Sequence, residues 1–178
     1  TGLSQFHRSA LGVIAPELSA DLALSPAMLG AANGMFFAAI LVMQLPVGIA
    51  LDRLGPRLVV AGLSVIAVLG LVLQGLATDG TTLLVARALI GIGCAASFMS
   101  AVVLCARWYA GGDMTLALSR VFALSQIGIL LAGAPLAWLA GWLGWRDAFL
   151  ISALLTGLAA LAWWRLVQND PPDMPAPA

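Results

Sequence analysis

Arg8 stands inside an apolar stretch near the start of the sequence, nine residues before Glu17 in "RSALGVIAPE". If this stretch is a membrane helix with Glu17 at its outer end, helical rise sets Arg8 ~13 Å below that end. A charge near the bilayer midplane costs about 2.5–3.5 kcal/mol on insertion scales, so it is expected to face a cavity or a partner. No acid is expected at matching depth. A cation without a built-in partner points to an anionic ligand, gripped by charge-assisted hydrogen bonds. Ser4 lies one turn away on the same face. His7 is adjacent but about 100° round the helix. It is a candidate proton-coupling group, with a core or interfacial histidine as the plainer reading. Asn33 and Gln44 are eleven apart and share a helix face with Phe37 and Ile40. Such a stripe lines a water-filled path or bonds a neighbouring helix. Ser119, Gln126 and Gly133 recur every seven residues, the spacing of a packing seam, with Gln126 a further cavity candidate.

Other chemistry is poorly supplied. There is one histidine, no HExxH and no GxSxG, which leaves little from which to build a metal site or a nucleophile–base pair, and neither enzyme nor cofactor is expected. Cys94 and Cys105 lie about 16 Å apart along one expected helix, too far for a disulfide. Net charge is zero, which argues against nucleic acid.

The elements that must position these residues are helices in lipid. Apolar residues make up 62% of the 178 and charged ones only 9%, against roughly a quarter charged in soluble domains. Charges and turn residues divide the chain into six apolar blocks, roughly 1–19, 26–51, 58–77, 82–105, 116–140 and 147–167. Five approach or exceed the ~20 residues a helix needs to span hydrocarbon. Ser25 and Pro26 read as the cap and first position of the second helix. Gly30 and Gly34 form a GxxxG pair suited to close packing. The first helix is expected to lack its start, and "QNDPPDMPAPA", residues 168–178, reads as a Pro-rich linker. If the 52–57 loop is cytoplasmic, that side collects Arg53, Arg57, Arg107, Arg120 and Arg165, against Arg146 alone outside, as the positive-inside rule requires. The six tryptophans are expected mainly as interfacial anchors.

Two pairs of short matches point to an internal repeat. "RSALG" from Arg8 parallels "RALIG" from Arg87, and "PVGIALDRLG" from Pro46 parallels "PLAWLAGWLG" from Pro135. Two three-helix copies must sit inverted across the membrane, an arrangement found in secondary transporters.

The densest charge cluster is "VGIALDRLGPR", with Gly48, Asp52, Arg53, Gly55 and Arg57 between the second and third blocks. It resembles the signature loop of the major facilitator superfamily. Gly55 with Pro56 makes the tight turn, and the arginines hold the loop on an anionic cytoplasmic face. The resemblance implies that the loop braces one conformation, with Arg107 as the expected partner of Asp52. Arg87, Gly91 and Gly93 resemble the family's fourth-helix pattern, which implies a structural or proton-relay role for Arg87. "LGWRDAFL" resembles the entry to the sixth helix, and Gly128, Gly133 and Pro135 only loosely echo the glycine–proline motif of drug antiporters. Arg8-x7-Pro16-x-Leu18 resembles the first helix of the organic anion and organophosphate branches, in which that arginine binds the substrate's carboxylate or phosphate.

The expected protein is therefore an all-α membrane protein. Residues 1–167 would be six transmembrane helices in a 3+3 inverted repeat, the N-terminal half of a twelve-helix transporter. Its expected partners are a small organic anion, the bilayer and the other six-helix half, and its expected place is a bacterial inner membrane. The expected function is gradient-driven symport or exchange by alternating access. A drug or cation exporter is the alternative within the class, although Glu17, Asp21 and Asp52 lie at helix edges rather than within the early helices. A non-transporting membrane module is the alternative outside it.

Overall fold

A computed structural model describes residues 1–109 and 113–170. Most of the Pro-rich segment, 171–178, lies outside the described residues. Among the described residues there are seven helical segments and no strand: α1 Gly2–Leu22, α2 Pro26–Gly75, α3 Gly80–Cys94, α4 Ala96–Trp108, α5 Met114–Ala132, α6 Ala134–Leu143 and α7 Trp145–Leu166. Four helical stretches, Pro26–Gly75, Gly80–Trp108, Met114–Leu143 and Trp145–Leu166, are long and apolar enough to cross a membrane.

The breaks follow from residue type. α2 runs for 50 residues but leaves helical geometry at Gly55, where φ is 77° and ψ is 161°. Only glycine adopts that backbone without steric cost. Pro56 follows, a residue suited to the first position of a new helical arm because it has no N–H to satisfy. Pro135 stands in the first turn of α6, after a non-helical Gly133. Gly144, at φ 91°, separates α6 from α7. Ser25 caps α2 by accepting from the Met28 N–H at 3.2 Å, and Asp79 caps α3 by accepting from the Thr82 N–H at 2.8 Å.

α3 packs against both arms of α2 through glycine. A Cβ on Gly91 would overlap the Phe36 carbonyl, and one on Gly93 would run into the Ala67 backbone. Gly70 meets Ile90 from the other side. Small residues let helices approach closely where lipid removes the usual hydrophobic drive. Gly30 and Gly34, the expected packing pair, instead face open space. The expected seam of α5 is also displaced. Ser119 and Gln126 are exposed, whereas Ser125, Gly128 and Ala132 are buried, with Gly128 against the Gly2 carbonyl. Spacings of three and four, rather than seven alone, define the packed face.

The bundle's outer surface is apolar. Leu41, Val42 and Leu45 are 72–75% exposed, as lipid-facing side chains are. Trp138 and Trp142 stack on that surface at 5.7 Å. Trp145 departs from an interfacial anchor: it is buried and its indole N–H donates to Asp21 at 3.1 Å. The two ends of α7 mark the two ends of the bundle. Arg146 at its start binds Asp21 and the Ala77 carbonyl. Arg57 reaches the Trp164 carbonyl near its finish.

Candidate functional site

Arg8 lies on the α1 face that opens into a cavity of about 240 Å³. α1 contributes Ser4, Gln5 and Arg8; α2 contributes Phe37, Ile40 and Gln44; Thr1, Ser97 of α4 and Ser125 of α5 complete the polar lining. The i, i+3, i+7 spacing of Phe37, Ile40 and Gln44 puts all three on one face. The Arg8 guanidinium sits over the Phe37 ring, 4.9 Å from its centroid. Among the described residues it has no carboxylate within ion-pair distance. The cavity thus presents a cation, two amides and four hydroxyls against aromatic walls, which suits a small anion carrying polar substituents.

The other sequence candidates divide by what holds them. Arg87 is only 1% exposed. It donates to the His7 backbone carbonyl at 3.0 Å and to Asn33 Oδ1 at 3.2 Å, and lies 4.6 Å from the Phe36 centroid. Asn33 is therefore occupied by Arg87, at the end of the polar stripe beyond the cavity. Arg87 ties α1 and α2 together, with Gly91 one turn on making room for α2.

His7 faces away from Arg8, towards α7, where Nε2 is 3.1 Å from Thr156 Oγ1. The Thr156 hydroxyl already donates to the Ser152 carbonyl at 2.7 Å. The histidine must then donate from Nε2. His7, Ser4, Ser97 and Thr156 border a second cavity, of about 250 Å³. Gln126 is exposed and lies outside the lining of the Arg8 cavity, where its neighbour Ser125 stands. Gln5, Ser97 and Ser125 carry no signal in the sequence, because an isolated polar residue on a helix has no periodicity of its own.

The 52–57 turn is organised by residues far along the chain. Asn169 Oδ1 accepts from the Arg57 N–H at 2.9 Å, and Arg57 Nε donates to the Trp164 carbonyl at 2.6 Å. A Cβ on Gly48 would meet only the Met99 side chain, at ordinary contact distance. Asp52 and Arg53 are exposed. Arg107, the expected partner of Asp52, pairs instead with Asp170 at 3.1 Å. The physical reason is proximity: the segment after α7 runs across this end of the bundle and brings its own carboxylate to the end of α4.

These features define a multi-pass, all-helical membrane protein with a polar cavity among its helices. Residues 1–178 match the Major Facilitator Superfamily, and the chain belongs to it. It is 30% identical over 166 residues to the "Hexuronate transporter" of Escherichia coli strain K12, covering 92% of this chain and 38% of that protein. It is 32% identical over 170 residues to "Uncharacterized transporter YybO" of Bacillus subtilis strain 168, covering 94% and 38%. It is 28% identical over 163 residues to the "Galacturonate transporter" of Dickeya chrysanthemi, covering 92% and 47%. The chain thus spans less than half the length of these relatives, each of which is named as a transporter rather than an enzyme.

Proposed function

We propose that this chain forms half of a secondary active transporter that carries a small organic anion by alternating access. The observation that carries the reading is Arg8, unpaired by any described carboxylate and facing a polar cavity. Its guanidinium offers two parallel N–H donors to a carboxylate. Gln5, Gln44, Ser97 and Ser125 offer partners for hydroxyl groups on the same molecule. The relatives named for hexuronate and galacturonate favour a polyhydroxylated carboxylate as substrate.

In this reading the chain makes six spans, ending at Leu22, Gly55, Gly75, Trp108, Leu143 and Leu166, arranged as a 3+3 inverted repeat. The turn at 52–57 faces the cytoplasm of a bacterial inner membrane, and a second six-helix half completes the cavity. Rocking of the two halves would expose Arg8 to either side in turn, driven by symport or exchange.

The test is uptake of labelled sugar acids by proteoliposomes containing the full-length protein, repeated with Arg8→Ala and Arg8→Lys. Loss of uptake in a folded Arg8→Ala protein supports the reading, and loss in Arg8→Lys as well indicates a bidentate grip. Normal anion uptake by Arg8→Ala, or transport of lipophilic cations alone, refutes it.

A further inference from the structure

Two helix ends meet at the 52–57 turn, and each lacks something that the other supplies. The second arm of α2 begins at Pro56, so its N-cap position falls on Gly55, which has no side chain to accept a hydrogen bond. The first N–H needing a partner is that of Arg57. In an ordinary cap, a Ser, Asp or Asn two residues earlier would take it. Here the acceptor is Asn169 Oδ1, more than a hundred residues later, at 2.9 Å. At the other helix, α7 ends at Leu166, so the Trp164 carbonyl is one of its last four, which have no helical donor. Arg57 Nε fills that vacancy at 2.6 Å. The guanidinium also brings positive charge to a helix C-terminus, where the dipole favours it.

We propose that Asn169 and Arg57 form a reciprocal cap, in which Asn169 serves in trans as the missing N-cap of the 56–75 arm and Arg57 closes the C-terminus of α7. The fit of Gly55 supports this independently. Asn169 lies where a Cβ on Gly55 would fall, with Nδ2 only 2.5 Å from it. Glycine at this position thus answers two demands, a φ of 77° and room for the amide. The Arg107–Asp170 pair adds a third fastening beside it, joining the end of α4 to the same segment. Asn169 is a positioning residue: it fixes the turn that carries Asp52 and Arg53 to the end of α7, so the two move together.

Hydrogen exchange at the Arg57 amide, read by mass spectrometry on the full-length protein in detergent, tests this. Loss of a side-chain cap is expected to speed exchange roughly tenfold in Asn169→Ala. Asn169→Asp, which keeps an acceptor oxygen, is expected to restore most of the protection. Gly55→Ala is expected to expel the Asn169 amide, so that adding Asn169→Ala to it changes exchange little further; coupled sites behave in this non-additive way. Unchanged exchange in Asn169→Ala, an aspartate variant no better than alanine, or full additivity of the two substitutions would each overturn the proposal. If Gly55→Ala fails to fold, the alanine and aspartate variants of Asn169 decide it alone.

Discussion

Arg8 rests over the face of Phe37, 4.9 Å from the ring centroid, while Arg87 rests over the neighbouring Phe36 at 4.6 Å. The two rings meet edge to face at 5.4 Å. One arginine is open to a cavity and the other is sealed between helices, so consecutive aromatic residues separate a cavity-facing cation from a buried one.

The aromatic platform should matter to binding. A cation–π contact is worth about 0.5–2 kcal/mol, depending on how far it is desolvated. Phe37→Ala is expected to weaken substrate binding by roughly 2- to 30-fold, the equivalent of that range. Phe37→Trp keeps a ring beneath Arg8 and is expected to lose less. Equilibrium binding or KM for uptake, measured on both variants, checks this.

Arg87 should act on stability first. Truncating it leaves the His7 carbonyl and Asn33 without their donor, and a buried group left unsatisfied costs about 1–3 kcal/mol. Arg87→Ala is expected to lower the melting temperature of the detergent-purified protein. Arg87→Lys, whose single ammonium lacks the planar fork, should recover only part of the loss. A melting temperature unchanged in Arg87→Ala would contradict the bridging role.

Glycine substitutions should sort by contact rather than by motif. Gly91→Ala drives a Cβ into the Phe36 carbonyl, and overpacking of this kind costs about 1–3 kcal/mol. Gly30→Ala meets nothing within 4 Å and gains helix propensity, up to about 1 kcal/mol. Thermal melts of the two variants are expected to move in opposite directions.

Asp79 should give the fold an acid-sensitive helix start. The Thr82 backbone N–H, and then its hydroxyl, hold this carboxyl below the ordinary carboxylate range. A lowered folded-state pKa means that the stabilisation is present above the unfolded value, about 3.9. It is lost as pH falls through the lower folded value. Asp79→Asn is expected to flatten that part of the stability–pH curve, as measured by melting temperature at a series of acidic pH values.

The turn between the second and third blocks was legible because Gly55 and Pro56 act locally, by their own backbone chemistry. The interruption at Gly133, inside the expected 116–140 block, was not, since Pro16 and Pro46 show that such residues also sit within continuous helix. The cavity face of α2 was legible, since Phe37, Ile40 and Gln44 follow helical period. What escaped the sequence was the identity of partners. Asn33 looked like a continuation of the same stripe, yet Arg87 claims it from another helix. Arg107 had Asp52 as its expected mate, and Asp170 takes it. A single sequence fixes which residues share a face far better than which of two equally charged groups arrives first across a bundle.

At the opposite end of α7 from Asn169, Asp21 receives both Arg146 and the Trp145 indole, while Arg146 also reaches Ala77 beyond α2. α7 is therefore pinned at its head as well as at its foot. A strut fastened at both ends links the turns it is fastened to. A shift of α7 along its axis would therefore be felt at both rims of the bundle.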